Sequence, residues 1–335
     1  MWEQGRILVT GGAGFIGSAL VWGLNQRGHD RILIADRLHH SDKWRNLAPL
    51  RFDDYLDADT LLQRLSALDD VGVVLHMGAC SSTTETDAAY LMRNNFEYTK
   101  TLAEWSMRRG ARFVYASSAA TYGGLEGRVS EATPLETLRP LNMYGYSKHL
   151  FDLHALRHGY HDRITGLKYF NVFGPNEQHK GDMRSMVDKA YRQIAGTGSM
   201  RLFKSYRDTY ADGKQRRDFL YIKDAVDMTL HLAEQPAGGL VNLGSGRSHT
   251  WLELAHAVFA AMGRPPSVEF IEMPDTLRHQ YQYDTCADDT RLCASGYDRP
   301  ATALTDAIRD YVREYLMPDR RLGDPAVGPS PGAPA

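Results

Sequence analysis

Short apolar runs alternate along the chain with longer stretches in which apolar positions recur at helical spacing. That alternation predicts strands joined by amphipathic helices. The strand-like runs of the first half span residues 6–10, 31–35, 71–76, 113–117 and 165–170. Between them, residues 15–27, 94–109 and 144–159 read as helices. Connections of this length imply right-handed crossovers, so the expected class is α/β, a doubly wound parallel sheet. After Gly174-Pro175 the pattern changes. Residues 183–195 read as a helix, 205–213 as a polar connection, and 218–222 and 239–243 as two strands returning to the sheet. Residues 252–262 and 303–315 read as later helices. The expected organisation is a large domain from residues 1–172 and 213–246, and a smaller, discontinuous α/β domain from 173–212 and 247–317. A disordered tail is expected over 318–335, since from Gly323 onward Gly, Pro, Ala and Ser dominate.

Composition narrows the class without naming it. The chain has 335 residues, 43% hydrophobic and 24% charged, which suits a globular enzyme. A formal net charge of -2 argues against a nucleic-acid partner or an anionic membrane surface. Three cysteines are too few and too odd for a disulfide framework, and their spacing matches no zinc site, so no metal is expected. No apolar run approaches the ~20 residues of a membrane span. The first residues, Met1-Trp2-Glu3-Gln4-Gly5, run directly into a strand, so no signal peptide and a cytoplasmic location are expected.

The first strand leads into Gly11-Gly12-Ala13-Gly14-Phe15-Ile16-Gly17, with a helix following. Gly11 permits a tight turn, Gly14 lets a pyrophosphate approach the backbone, and Gly17 lets helix and strand pack closely. The helix N-terminus then offers free amides to the phosphates. Asp36 ends the next strand nineteen residues after Gly17, where it can meet an adenosine ribose. A Rossmann-type dinucleotide site follows. Asp36 alone suits the free 2′-hydroxyl of NAD, whereas Arg37, Lys43 and Arg45 suit a 2′-phosphate. NADP is the expected cofactor, with NAD the alternative.

Tyr144 and Lys148 stand four residues apart at a helix start, hence on one face. Asn142 is placed to cap that helix. A phenol is a poor base at neutral pH, and a lysine ammonium with an oxidised nicotinamide beside it brings it towards its working range. Ser118, at the end of the preceding strand, can hydrogen-bond both a substrate hydroxyl and the phenol.

The glycine loop, this serine and the Tyr/Lys pair together resemble the extended short-chain dehydrogenase/reductase family, over roughly residues 6–317. Within it the chain resembles the ADP-L-glycero-D-manno-heptose 6-epimerases. The likeness is carried by Gly78-Ala79-Cys80-Ser81-Ser82-Thr83-Thr84-Glu85, Tyr115-Ala116-Ser117-Ser118-Ala119-Ala120-Thr121-Tyr122-Gly123-Gly124, Leu141-Asn142-Met143-Tyr144-Gly145-Tyr146-Ser147-Lys148 and Tyr169-Phe170-Asn171-Val172-Phe173-Gly174-Pro175. His179-Lys180-Gly181 discriminates most, because general nucleotide-sugar epimerases do not share it. The resemblance implies that Tyr144 and Lys180 are the two acid/base groups, aided by Ser118 and Lys148. It implies cofactor contacts from Gly11, Gly14, Phe15, Ile16, Gly17, Asp36, Arg37, Lys43, Met77, Gly78, Ala79, Cys80, Ser81, Asn94, Lys148 and Val172. It implies substrate contacts from Ser118, Asn171, Phe203, Lys204, Ser205, Tyr206, Arg217 and Tyr281.

The implied reaction interconverts ADP-D-glycero- and ADP-L-glycero-D-manno-heptose by transient oxidation at C-6, in a homo-oligomer, a pentamer or larger by family likeness. Such epimerases feed lipopolysaccharide assembly. The sequence departs from relatives at Asn176-Glu177-Gln178, Asp182, Lys189 and Ala58. Alternatives are a 4-epimerase using only the tyrosine, and a non-catalytic cofactor-binding protein. A 4,6-dehydratase is disfavoured because Ala119, Ala120 and Thr121 stand where an acid pair is needed.

Overall fold

The computed structural model describes residue 2 and residues 5–236, 238–278 and 281–325. Seven parallel strands form its centre: β1 (Arg6–Thr10), β2 (Ile32–Asp36), β3 (Asp54–Asp57), β4 (Val71–His76), β5 (Arg112–Ser118), β7 (Ile164–Tyr169) and β11 (Gly239–Leu243). Their order, β11-β7-β5-β4-β1-β2-β3, reverses at β1. That reversal opens a crevice at the carboxyl ends of β1 and β4, where ligands bind in such sheets. The expected strands are present within a residue or so of their bounds, and β3 joins them at the edge. Asp-Tyr-Leu-Asp buries only Leu56, too little apolar pattern to read as a strand.

The pleat sorts the side chains into two cores. Ile7, Val9, Ile32, Ile34, Val73 and Leu75 face one layer, with the Phe15–Gln26 and Ile222–Glu234 helices over them. Leu8, Leu33, Val74, Phe113 and Tyr115 face the other, under the Tyr98–Arg109 and Met143–Arg157 helices. A Cβ on Gly23 would lie 2.3 Å from Val226 Cγ1, so the first pair of helices packs at glycine distance.

The smaller sheets sit beyond the carboxyl edge. They are β8 (Asn171–Phe173), β10 (Arg216–Tyr221) and β12 (Ser248–Thr250); β9 (Met200–Phe203) with β13 (Val268–Ile271); and β6 (Gly127–Val129) with β14 (Thr285–Ala287). Only one of the two late strands returns to the large sheet. β11 pairs with β7, whereas β10 pairs with β8 and β12. Apolar alternation reports a buried strand but not its partner.

Residues 318–325 belong to the packed body rather than to the expected tail. Leu322 is fully buried, and its N–H donates to Asn176 Oδ1 at 2.9 Å. Residues 326–335 of that expected tail lie outside the described residues. Among the described residues no helix is long and apolar enough to cross a membrane.

Candidate active site

The glycine turn is built as its residues require. Gly11 has φ +66°, and a Cβ there would meet the Gly78 backbone at 2.8 Å. A Cβ on Gly17 would lie 2.0 Å from Gly11 O, while Gly14 meets nothing nearer than 3.1 Å. The Phe15–Gln26 helix has no side-chain cap, so its first amides remain available. Around this turn lies a cleft of about 520 Å³. It is lined by Gly11, Gly14, Phe15, Ile16, Gly17, Asp36, Arg37, Lys43, Met77, Gly78, Ala79, Cys80, Ser81 and Asn94, all expected cofactor contacts except that Lys148 and Val172 are not among them. A bare backbone loop at a helix N-terminus, at the sheet's switch point, fits a dinucleotide pyrophosphate.

Asp36 is more engaged than a free ribose ligand. Its Oδ2 accepts from the Ala13 and Gly14 amides at 2.8 and 3.1 Å, and its Oδ1 from the Arg37 amide and Lys43 Nζ, both at 2.6 Å. Arg37 in turn donates to Asp59 at 2.5 Å and Asn94 Oδ1 at 2.7 Å.

At the next strand end, Asn142 Oδ1 caps the Met143–Arg157 helix by accepting from the Gly145 amide at 2.8 Å. The cap sets Tyr144 and Lys148 on the face turned to β5. Tyr144 is half-buried; burial raises its phenol above the ordinary value, a hydrogen bond with Ser118 pulls it back, and Cys80 adds to the rise. Lys148 donates to the Ala116 carbonyl at 2.7 Å, and burial brings it down to about 8, opposed by Asp152 and Cys80. The expected lowering of the phenol by Lys148 is therefore not present among these residues. The ammonium is spent on a carbonyl, and burial dominates.

Lys180 lies on the short turn Gln178–Met183 and lines the dinucleotide cleft with His179. Its Nζ stands 5.2 Å from the Phe15 ring centre. Burial lowers it, Glu177 raises it and Lys189 lowers it.

A neighbouring cavity of about 470 Å³ holds Asn171 and Val172 with Thr83, Lys189, Phe219 and Trp251. Val172, expected beside the cofactor, is thus placed here. Asn171 donates to the Asp218 carbonyl at 3.0 Å. The Arg217 guanidinium stands 5.7 and 5.2 Å from the Trp251 and Tyr281 rings, and its Nη1 donates to the Arg216 carbonyl at 2.7 Å. Trp251 Nε1 donates to Tyr281 Oη at 2.8 Å, fixing that aromatic pair. Phe203 ends β9. Lys204 pairs with Glu272 at 2.7 Å, and Tyr206 donates to the same carboxylate. Ser205 donates its amide to Asp212 at 2.6 Å.

Sequence reasoning missed the residues that hold these groups in place. Asn95 is fully buried, accepts from the Cys80 amide and donates to the Cys80 carbonyl and Ser147 Oγ. It lies in the π-helical turn Met92–Glu97, a widened register that residue spacing does not announce. The buried pair Lys168–Asp152, at 3.0 Å, also takes hydrogen bonds from Ser117 and Tyr115, beneath Ser118. A separate cavity of about 500 Å³, between residues 244–249 and 297–305, contains none of the expected site residues.

The comparisons with known proteins agree with this geometry. Residues 7–244 match the NAD dependent epimerase/dehydratase family. The chain is 51% identical over 314 residues to an ADP-L-glycero-D-manno-heptose-6-epimerase of Nitratidesulfovibrio vulgaris, covering 92% of this chain and 97% of that one. It resembles the crystal structure of the Helicobacter pylori ADP-L-glycero-D-manno-heptose-6-epimerase with a TM-score of 0.81 at 27% identity, covering 93% of this chain and 96% of the other. It also resembles a UDP-glucuronic acid 4-epimerase from Bacillus cereus in complex with NAD, with a TM-score of 0.75, 27% identity, and 92% and 98% coverage. With the match running from the first strand through the last of the large sheet, and half the residues shared with a full-length relative, the chain belongs to the NAD dependent epimerase/dehydratase family.

Proposed function

We propose that this protein is an ADP-L-glycero-D-manno-heptose 6-epimerase, an isomerase acting on a nucleotide-activated sugar. The observation that carries the reading is the presence of two proton-handling side chains of different origin. Tyr144 stands with Ser118 at the end of β5, and Lys180 lines the dinucleotide cleft. An enzyme that inverts a carbinol can use a separate partner for the hydroxyl in each orientation, and these two groups supply one each.

The residues of the cleft fit a nicotinamide dinucleotide, and NADP is the proposed form. Lys43 neutralises Asp36, whose oxygens are already taken by backbone amides, and Arg37 with Lys43 offers cations to a 2′-phosphate. When bound, the cofactor supplies a reversible hydride acceptor for C-6 and returns the same hydrogen. Ser118 holds the substrate hydroxyl and the Tyr144 oxygen together. Tyr144 and Lys180 exchange the hydroxyl proton from opposite sides. Lys148 holds its place through the Ala116 carbonyl, on the same helical face as the tyrosine. Arg217, set over Trp251 and Tyr281, is proposed to grip the diphosphate, since a guanidinium bonds two oxygens at once. Asn171, Phe203, Lys204, Ser205 and Tyr206 are proposed to surround the sugar nucleotide.

Two measurements test this. Denaturing the purified protein and weighing the released nucleotide should yield NADP; NAD alone would reverse the cofactor assignment, and neither would defeat the site. ADP-heptose epimerised in deuterium oxide should keep protium at C-6. Stoichiometric deuterium there would reject direct oxidation in favour of enolisation.

A further inference from the structure

The loop that carries Lys180 is closed by a single buried side chain. Glu177 is fully buried. Its Oε1 accepts from the Gly174 amide at 3.3 Å, at the loop's start. The same oxygen accepts from Ser185 Oγ at 2.7 Å, and Oε2 accepts from the Ser185 amide at 2.5 Å, at the loop's end. Ser185 is also the N-cap of the Met186–Thr197 helix, accepting from the Asp188 amide at 3.3 Å, so the carboxylate ties the loop to a rigid element. Between these anchors the Lys180 amide donates to the Glu177 carbonyl at 3.0 Å, which closes the turn. Asn176, next to Glu177, has φ +79°. It donates to Ser18 Oγ at 2.9 Å and accepts from Asn46 and Leu322, locking the same loop onto the glycine-turn helix.

Burial raises Glu177 above the ordinary carboxylate range, Ser185 and Lys180 lower it and Asp188 raises it; burial lowers Lys180, with Glu177 raising it and Lys189 lowering it. What holds the carboxylate in place is the set of hydrogen bonds it accepts from both ends of the loop.

We propose that Glu177 is the positioning residue for Lys180: its carboxylate clamps both ends of the loop that presents the lysine to the cleft. The proposal rests on the reading of Lys180 as the second acid/base only for its catalytic consequence. The positioning itself is measurable without turnover.

The test is competitive labelling of the amines of the full chain with acetic anhydride across pH, with Lys180 followed by peptide mass spectrometry. In Glu177→Gln, which keeps the side chain's size but only one accepting oxygen, the labelling rate of Lys180 should rise several-fold at every pH as the loop is released. The rates of exposed lysines should stay where they are. Glu177→Asp, too short to reach both anchors, should behave in the same way. Should Glu177→Gln destabilise the fold, Ser185→Ala removes one donor from the clamp, and the Lys180 rate should rise in the same direction. An unchanged Lys180 labelling rate in these variants overturns the proposal. Activity is then read separately. Glu177→Gln should lower kcat at least ~10-fold with little change in KM, because the loop no longer holds the lysine at the cleft. Full activity in Lys180→Ala would sink the acid/base reading and leave the labelling result untouched.

Discussion

Single residues carry the chemistry, and their environments set what substitution should do. Tyr144 sits where burial opposes its ionisation, so only a hydroxyl-bearing partner and added positive charge make it useful. Tyr144→Phe should cut turnover by at least ~10²-fold while the released-cofactor content stays near that of the parent protein. Lys180→Ala should be comparably damaging; an enzyme working at C-4 with the tyrosine alone would hardly register it, so normal turnover would favour that alternative. Lys148→Ala should lose both turnover and retained cofactor, because its buried Nζ, held on the Ala116 carbonyl, is proposed to serve both. Retained cofactor in that variant would confine Lys148 to the proton-transfer step. These proposed roles come from motif context. The support was not: Asn95, Asp152 and Glu177 act through contacts 15, 16 and 8 positions away in the chain.

At the scale of elements, the glycine turn and the helix caps make the clearest predictions. A methyl on Gly17 has nowhere to go, since the Gly11 carbonyl lies 2.0 Å from its position. Gly17→Ala should therefore abolish cofactor retention and lower Tm by many degrees. Gly28 makes an instructive control, with φ +83° and nothing within 4 Å of a Cβ. Gly28→Ala should cost only about 1 kcal/mol of backbone strain and leave cofactor binding intact. If both variants behave alike, the steric account of the turn is wrong. The helix Trp251–Ala261 opens with a full capping box between Thr250 and Glu253. Thr250→Ala should cost about 1 kcal/mol by chemical denaturation. The effect should extend to Arg217, because that helix begins with Trp251, one of the two rings under the guanidinium.

Across the whole molecule, burial of neutral histidines couples stability to pH. His76 is fully buried between Thr10 and Thr99, and burial with Lys148 nearby keeps it well below its ordinary value. His179 is brought down to about 4, first by burial and then by Lys43 and Lys180. The unfolded chain protonates these rings near pH 6.5, the folded chain only far lower, so the unfolded state binds more protons in between. Stability from these groups is full above about pH 6.5 and falls as the pH drops from there towards 4. His179 alone accounts for on the order of 3 kcal/mol across that window. Buried acids such as Glu177 and Asp218, raised by burial, act in the opposite sense. The decisive quantity is thus a difference: His179→Gln should narrow the gap in unfolding free energy between pH 7 and pH 5. An equal gap in both proteins would mean the ring is protonated in the fold.

The sequence by itself determined what is local or repeated at fixed spacing. Strand 6–10 followed by the Gly11–Gly17 turn, Asn142 as a cap, and Tyr144 with Lys148 on one helical face all follow from short-range geometry, and each is present. The alternation of strands and helices likewise determined the parallel sheet, because crossover handedness leaves few arrangements. Tertiary structure alone decided which strand β10 pairs with, since apolar alternation names a buried face and not its neighbour. It decided that residues 318–325 pack, through Leu322 meeting Asn176, although their composition resembles a free tail. It decided that Asp36 pairs with Lys43 and accepts from the Gly14 amide, and that Lys148 donates to Ala116. Side-chain spacing can place groups on a common face, but ionisation depends on burial and on partners from distant segments, and those exist only once the chain has folded.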